Sequence, residues 1–429
     1  METVNARQLA QVEQLGQLRK LNPAVVVALG AVAAAGLAVV VHRLWSGIGT
    51  TALGSVTPWG LWVALYILFI GLSAGSFLLS TLIFVFKMKS LEPVARLAIL
   101  QAFICLVTGI AFISLDLGKI SRFWHPMVYP QFRSSVLAYE IWLYGGYIAL
   151  LLLELWLLMR MDLAHLAIRH QNRLYGLLSF GQKPPANREE DEKIRRATTR
   201  WLTLLGVMGI PLAIGVHGGT GAIFAVVKAR PFWHTAIFPL VFIVSALASG
   251  GGLLLFLKAF LLPNDKVDRQ LLPVLARLTG AFLVFDLFLL ALELLVGFYG
   301  QIPEHLEVYH LMLYGPHWYV FWVLQMGVGA ALPLALLFGP GTKSTATYGL
   351  AGGLVALGIV GVRLNIVIPA LSVPVLPGFE EALNSIRFTA SYFPNWVEWG
   401  SSIGVIGLMG LVGYLMARYL PMIERESHE

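Results

Sequence analysis

Ten apolar segments, each long enough to cross a lipid bilayer, run through this sequence of 429 residues. A membrane-spanning helix needs roughly 20 mostly apolar residues, and a backbone inside lipid must satisfy its hydrogen bonds within helices or closed barrels. Only 12% of the residues are charged, which is about half of what a soluble domain carries. The sequence therefore predicts an all-α transmembrane protein of about ten helices. We number these spans 1 to 10, and they lie at about 24–45, 58–86, 93–117, 136–160, 200–227, 234–262, 274–299, 317–338, 347–371 and 396–419.

The distribution of Lys and Arg predicts which side of the membrane each loop faces. With the N-terminus inside, the inner segments hold 22 of the 30 basic residues and the outer loops hold 8, as the positive-inside rule requires. We therefore expect both termini to be cytoplasmic. The basic residues are spread over many short loops, which argues against a surface for nucleic acid. The longest polar stretch, 161–199, contains the charged run 188–196 and is interpreted as a solvated loop or a short surface helix.

Two pairs of short motifs suggest an internal repeat. Leu72-Ser-Ala-Gly75 in span 2 is similar to Leu247-Ala-Ser-Gly250 in span 6, and Gly215-Val-His217 in span 5 is similar to Gly361-Val-Arg363 in span 9. Since four spans separate the members of each pair, we interpret the chain as two four-helix bundles, spans 2–5 and 6–9, flanked by spans 1 and 10. Repeats of this kind often place a ligand site at or between the bundles. The corresponding division is a cytoplasmic tail (1–22), the first span with its outer loop (23–57), the first bundle (58–227), the second bundle (228–371), and an outer loop, last span and cytoplasmic tail (372–429).

Ionisable side chains inside the spans are functional candidates, because a charge within a bilayer is costly. Asp286 and Glu293 are seven residues apart, or two turns, so they share a face of span 7. Glu140 and Glu154 likewise share a face of span 4, and together these four carboxylates form a candidate proton path. A charged residue at a helix end also serves as an interfacial anchor, and His217 is equally suited to a hydrogen bond between helices. The strongly polar residues in or near the spans are Asp116, Glu140, Glu154, His217, Asp286, Glu293, Arg363, Asn365 and Glu398.

The residues that redox metals need are scarce in this sequence. The single cysteine, Cys105, cannot form an intramolecular disulfide or hold an iron–sulfur cluster, which needs about four thiolates. His217 is the only histidine well inside a span, which argues against a bis-histidine haem. The sequence contains no Gly-x4-Gly-Lys-Ser/Thr loop for a nucleotide. We therefore expect no haem, iron–sulfur cluster or other metal site in this chain, and no ATP-driven pump.

Several stretches from about residue 50 onward carry a resemblance to a known family. They are Trp59-Gly-Leu-Trp-Val-Ala-Leu-Tyr66 with Gly71-Leu-Ser-Ala-Gly75 on span 2, Leu115-Asp-Leu-Gly-Lys119 after span 3, Gly215-Val-His217 with Phe224-Ala225 on span 5, Arg363-Leu-Asn365 on span 9, and Ser391-Tyr-Phe-Pro-Asn-Trp-Val-Glu398 at span 10. In this order they resemble the NrfD/PsrC family of quinone-interacting membrane subunits. The resemblance is strongest to the ten-helix branch that includes HybB, DsrP, QrcD and ActC.

This resemblance implies a function within a larger complex. It implies a haem-free subunit of the bacterial or archaeal cytoplasmic (inner) membrane that binds menaquinone or ubiquinone near the outer face. It implies a periplasmic-side iron–sulfur (ferredoxin-like) subunit as the electron partner, and a further catalytic or multihaem cytochrome subunit beyond it. Quinol dehydrogenase or quinone reductase activity is then expected only within the complex, with or without proton translocation.

The resemblance also selects candidate residues for the quinone site. They are Asp116, Arg122, His125, Tyr139, His217 and Glu293. Phe224 stands where the ActC-like pattern has an Asp, so either the proton acceptor differs or this bundle does not hold the quinone. A stand-alone secondary transporter or ion channel remains the alternative, because repeated bundles and buried carboxylates suit that class too.

Overall fold

Ten long helices make up most of the protein. The structure is a computed structural model that describes residues 21–170, 173–185, 187–341, 343–374, 378, 382 and 388–422. Within these residues ten helices are long and apolar enough to cross a membrane, and no strand is present. The prediction of an all-α transmembrane protein of about ten helices is therefore confirmed. The spans are Pro23–Ser46, Leu61–Phe84, Ala95–Asp116, Val136–His170, Arg188–Ala225, Phe238–Phe260, Asp265–Gly300, Val320–Phe338, Thr345–Ser372 and Trp396–Tyr419.

The polar stretch between spans 4 and 5 is more helical than its sequence suggested. Span 4 continues to His170, a short helix covers Arg173–Leu178, and span 5 begins at Arg188. The charged run predicted as a loop or surface helix is therefore the first part of span 5. Asn187 caps this helix by accepting a hydrogen bond from the Glu190 backbone nitrogen at 2.9 Å. Acidic residues in the first turn also suit the positive end of the helix dipole.

Span 8 departs from regular α-helical geometry. Its first part, Val320–Ala331, is a π-helix, and only Leu332–Phe338 is α-helical. π-Helical turns are rare and often occur at functional sites. Gln325 lies buried within this wide segment. Span 8 is therefore the helix whose backbone geometry departs most from what an apolar run predicts.

Spans 2 and 6 cross at the centre of the molecule through their glycines. A Cβ atom on Gly75 would lie 1.8 Å from the Ala246 carbonyl oxygen, and one on Gly250 would lie 2.5 Å from the Ser76 backbone nitrogen. Real Cβ atoms do not approach so closely, so only glycine permits this contact. The crossing joins the two motifs that the sequence paired as a repeat.

The remaining helix contacts surround this crossing. Span 2 packs against spans 3, 5, 6 and 9, span 4 packs against span 5, and spans 7, 8 and 9 pack with span 6 or one another. Spans 1 and 10 form a separate pair that rests on span 3. Because the centre is one continuous core, the grouping into two four-helix bundles, like the proposed domain limits, stays a prediction.

One side of the bundle carries most of the functional candidates, and Glu154 and Asp286 lie deeper within their helices. Even-numbered spans begin there and odd-numbered spans end there, and we call it the predicted outer side, following the Lys and Arg count. A short helix at His125–Val128 and a longer one at Pro303–Tyr314 lie on this side, in the loops after spans 3 and 7.

Candidate functional site

A buried group of hydroxyls surrounds Glu140 near the start of span 4. The Thr220 hydroxyl on span 5 donates a hydrogen bond to Glu140, and the Tyr66 and Tyr144 hydroxyl oxygens lie 2.5 Å apart. Both phenols interact electrostatically with Glu140. One of these two hydroxyls donates its hydrogen to the other, so the hydrogen of the second hydroxyl can bond to another acceptor. We call Glu140, Tyr66, Tyr144 and Thr220 the Glu140 cluster, and all four side chains are buried.

A set of largely exposed aromatic rings lies on the predicted outer side, in the loop after span 3 and at the start of span 4. The His125 ring contacts Trp124 and Tyr129 at centroid distances of 4.3 and 6.1 Å, and Phe132 contacts Tyr139 at 4.9 Å. Tyr139 directly precedes Glu140 in the chain and is 52% exposed. We call these five residues the aromatic loop surface.

A second buried group lies where spans 5, 6 and 9 meet. The Arg363 Nη2 donates to Ser245 Oγ at 2.6 Å and lies 3.3 Å from His217 Nε2. Because a guanidinium cannot accept a hydrogen bond, His217 Nε2 must be the acceptor, so this histidine is neutral. The guanidinium also lies over the Phe242 ring at 4.5 Å. Gly71 on span 2 makes room for the pair, since a Cβ there would lie 3.0 Å from the His217 ring.

A small cavity, mostly apolar but lined by several polar side chains, lies between spans 7, 8 and 9 and the Pro303–Tyr314 helix. Its volume is about 40 Å³, and Asp286, Glu293, Gln325 and Asn365 supply its polar lining. The Asn365 Nδ2 donates to Gln325 Oε1 at 2.7 Å. Such a volume holds roughly three water molecules. The cavity therefore has room for a few water molecules.

A third polar group joins spans 1, 3 and 10 and is fully hydrogen-bonded at its centre. Glu398 accepts from the Tyr392 hydroxyl, from the Ala52 nitrogen at 3.0 Å and from the Asn395 nitrogen at 3.1 Å. Burial and the neighbouring Glu398 carboxylate raise the pKa of Tyr392, which keeps this phenol protonated as a donor. Beside them, Arg43 donates to the Leu117 carbonyl oxygen at 2.7 Å. These hydrogen bonds connect the ends of the helices, although Arg43 Nε and Asp116 Oδ1 have no hydrogen-bond partner among the described residues.

The six residues predicted for the quinone site fall in separate places. Three of them, Arg122, His125 and Tyr139, lie in or beside the aromatic loop surface. Asp116 interacts electrostatically with Arg43 in the third group. The other two are His217, which contacts Arg363, and Glu293, which lines the cavity.

The four predicted proton-path carboxylates are equally dispersed. Glu140 belongs to its own cluster, and Asp286 and Glu293 share the cavity. Glu154 is 1% exposed, and neither of its oxygens has a hydrogen-bond partner in the part of the chain that the structure describes. Phe224, which replaces an expected Asp, is buried against the ring of Trp233 at 4.9 Å. That position therefore carries no proton acceptor.

Sequence reasoning missed several partners of these residues. They are Tyr66, Tyr144, Thr220, Ser245 and Gln325. Tyr144 follows Glu140 by four residues, so helical spacing alone could have found it. The other four residues carry no such signal, because their partners lie on other helices.

Ten spanning helices that enclose buried carboxylates, an arginine and a water-sized cavity define a multi-pass integral membrane protein with a polar interior. The chain belongs to the NrfD family, since the family model described as polysulphide reductase, NrfD matches residues 49–375. Among the described residues, no group of three or more His, Cys, Asp or Glu could hold a metal ion.

Curated relatives match nearly the whole chain. It is 41% identical to a selenate reductase subunit of Mesobacillus selenatarsenatis, over 90% of this chain and 91% of that protein. It is 32% identical to a putative dimethyl sulfoxide reductase membrane subunit of Halobacterium salinarum, over 90% and 88%. It is 30% identical to an Hdr-like menaquinol oxidoreductase integral membrane subunit of Archaeoglobus fulgidus, over 95% of each chain.

Proposed function

We propose that this chain is the quinone-binding membrane subunit of a reductase complex in the cytoplasmic membrane of a bacterium or archaeon. The names of its relatives support this. All three are named as subunits of oxidoreductases, two are named as membrane subunits, and the Archaeoglobus fulgidus protein is named as a subunit of a menaquinol oxidoreductase. Within the complex the chain exchanges electrons between the quinone pool and a partner subunit.

The quinone headgroup is bound at the aromatic loop surface, beside the Glu140 cluster. One observation carries this proposal. Glu140 is buried, one of its carboxylate oxygens has no hydrogen-bond partner among the described residues, and it directly follows the exposed Tyr139 in the chain. Exposed rings offer a stacking surface. His125, Arg122 and Tyr139 are hydrogen-bond donors suited to the two carbonyl oxygens of a quinone.

The Glu140 cluster receives protons in this proposal. A bound quinol supplies two electrons and two protons. Glu140 is the acid–base group, and the phenol pair of Tyr66 and Tyr144 adjoins it as a route for hydrogen-bonded transfer. The lipid-exposed Leu137 and Trp142 on span 4 give the isoprenoid tail an apolar surface. The cavity at Asp286 is a separate site in this proposal, since neither Glu140 nor any residue of the aromatic loop surface lines it.

Electrons reach a partner protein, because one cysteine and one histidine within the spans give this chain no carrier of its own. We propose an iron–sulfur (ferredoxin-like) subunit on the predicted outer side, which serves a further catalytic or multihaem cytochrome subunit. Protons released at Glu140 are proposed to cross the membrane with the help of Glu154, Asp286 and Glu293.

The first experiment is purification of the complex from native membranes in mild detergent, followed by assay of Glu140→Gln. Removing an acid–base group lowers turnover by about 10²–10⁴-fold, so we expect at least a 100-fold loss of oxidation of a short-chain naphthoquinol. Electron transfer from a viologen dye to the catalytic subunit should be unchanged. Tyr139→Ala and His125→Ala should raise KM for the quinol more than they lower kcat.

His310→Ala is the matched control. This exposed histidine lies on the Pro303–Tyr314 helix between spans 7 and 8, and it is not part of the proposed quinone site. It should leave both activities at the wild-type level. Full quinol oxidation by the Glu140→Gln complex would refute the site. Repeated isolation of the chain without an iron–sulfur protein would refute the function and favour a transporter.

A further inference from the structure

The cavity beside span 7 has an unequal number of acidic and basic groups around it. Asp286 and Glu293 both line it, and Asp286 interacts electrostatically with Arg363 and with Glu293. Arg363 is completely buried and remains charged, because a guanidinium does not lose its proton in proteins. If both carboxyls were ionised, two negative charges would face one positive charge inside the membrane region.

The other titratable groups around the cavity do not change this balance. His217 accepts a hydrogen bond from Arg363 and is therefore neutral. Tyr309, on the Pro303–Tyr314 helix, lines the cavity as a neutral phenol that donates to the Glu293 carbonyl oxygen at 3.1 Å. His305 contacts Tyr309 and Phe232 from the loop side and does not line the cavity. Spans 6 and 8 contribute only Val241 and Gln325 to the lining.

Asp286 is a buried carboxyl group whose charge Arg363 alone offsets. Its side chain is 8% exposed and has no hydrogen-bond partner among the described residues, although it faces the cavity. An uncompensated charge at such a place costs far more than a neutral acid or a balanced pair. The balanced state therefore has one carboxylate opposite Arg363 and one protonated carboxyl.

We propose that this cavity is a binding site for a single proton, held by Asp286 and Glu293 together and balanced by Arg363. The two residues are about 10 Å apart along the helix axis, since seven residues rise by about 1.5 Å each. The proton passes between them through water, for which the cavity has room. The site exists in the resting protein and does not depend on the proposed quinone chemistry.

Gln325 and Asn365 are the positioning residues of this site. Their mutual hydrogen bond uses the Asn365 amide nitrogen and the Gln325 amide oxygen. That leaves the Asn365 oxygen as an acceptor and the Gln325 nitrogen as a donor, which orients water between them. The π-helical turn of span 8 brings Gln325 to the cavity wall.

Infrared difference spectroscopy tests the proposal on the full chain in lipid nanodiscs, with any subunits that purify with it. A protonated carboxyl absorbs in a C=O stretching region where carboxylates do not. The wild type minus Asp286→Asn and wild type minus Glu293→Gln spectra should each show the loss of one protonated carboxyl, because Arg363 alone balances the carboxylate that remains. Arg363→Gln should instead gain one protonated carboxyl.

Control variants keep the test decisive if Arg363→Gln does not fold. Arg363→Lys keeps the charge and should leave the band unchanged, and so should Glu189→Gln, whose side chain is exposed on the other side of the protein. Gln325→Leu should slow hydrogen–deuterium exchange of the band without removing it. An unaltered band in both single carboxyl variants would overturn the proposal. A band that appears only after sodium is replaced by choline would also overturn it, in favour of an alkali-cation site.

Discussion

At the scale of single residues, Glu154 is the carboxylate whose position is hardest to explain by stability. It is buried, and neither oxygen has a hydrogen-bond partner among the described residues. Its neighbour Tyr147 already donates to the Ser73 carbonyl oxygen at 3.2 Å. Leaving a buried polar group without a partner costs about 1–3 kcal/mol. Such a cost is consistent with a residue kept for proton transfer rather than for folding.

Replacing Glu154 by Leu should therefore raise stability and reduce proton transfer together. We expect the Tm of the detergent-solubilised protein to rise by one to a few degrees, since about 1–3 kcal/mol is no longer lost. In vesicles that carry the complex, the number of protons moved per electron should fall while the rate of quinol oxidation stays near wild type. A pH-sensitive dye and the quinol absorbance measure the two together.

Leu153→Met is the control for this variant, because Leu153 is the preceding residue and faces lipid. It should change neither quantity. An unchanged proton-to-electron ratio in Glu154→Leu would remove Glu154 from the proposed path.

At the scale of helices, the contact between spans 1 and 10 depends on glycine. A Cβ on Gly36 would lie 2.0 Å from the Gly404 Cα, and a Cβ on Gly404 would lie 2.2 Å from the Gly36 Cα. Helices associate in lipid mainly by close packing, which small residues permit. Above and below this crossing, the Asn22 nitrogen donates to the Tyr414 hydroxyl at 3.0 Å, and the His42 ring stacks on Trp396 at 5.4 Å.

Gly36→Ala should separate these two helices, whereas Gly30→Ala should not. A Cβ at Gly30 meets nothing within 4 Å, so that variant should gain about 0.5–1 kcal/mol from helix propensity. Gly36→Ala should lose about 1–3 kcal/mol because the contact is overpacked. Thermal unfolding in one detergent compares the two directly. Equal Tm values for the variants would show that spans 1 and 10 are not in contact in the membrane.

At the scale of the whole molecule, orientation decides on which side an electron partner can bind. The aromatic loop surface lies in the loop after span 3 and at the start of span 4, and the exposed charges near Lys193 lie at the start of span 5, on the opposite side. The Lys and Arg count puts the first outside and the second inside. A partner that receives electrons near Glu140 must approach from the first side.

Cysteine labelling tests this orientation without interference, because the one native cysteine, Cys105, is buried. Ser134→Cys should react with a membrane-impermeant maleimide on intact spheroplasts, and Lys193→Cys should react only in inverted vesicles. Both positions are exposed. The reverse pattern would place both termini outside and move the proposed partner to the cytoplasm.

The length and apolarity of the spans could be predicted from sequence, and their interior chemistry only in part. Ten runs gave ten helices because a bilayer imposes one length on every span. The ends of spans 4, 5 and 7 were misplaced, since these helices continue into water, where hydropathy carries no signal. The π-helix of span 8 was missed as well, because an apolar run reads the same in either helical geometry.

The parts of the candidate site that could not be predicted are contacts between helices that are distant in sequence. His217 and Arg363 stood out as corresponding members of two similar motifs, and they touch in the folded protein. Nothing in one sequence showed that Ser245 would join them. The quinone candidates came from the resemblance, which places the site near the outer ends of the helices, and that position does not determine which neighbours meet across a bundle. For that reason Asp116 and Tyr139, both near helix ends, belong to different groups.

The pairing of spans 1 and 10 has a consequence for how the protein is made. The ribosome completes span 1 about 350 residues before it begins span 10, which at about 5–20 residues per second is an interval of roughly 20–70 s. During that time Gly36 has no glycine to meet, and most of span 1 faces lipid even in the finished protein. Span 1 is therefore made first but packs against its partner helix last. If the ribosome stalls in the second half of the chain, span 1 stays in the bilayer without span 10 and is exposed to membrane proteases.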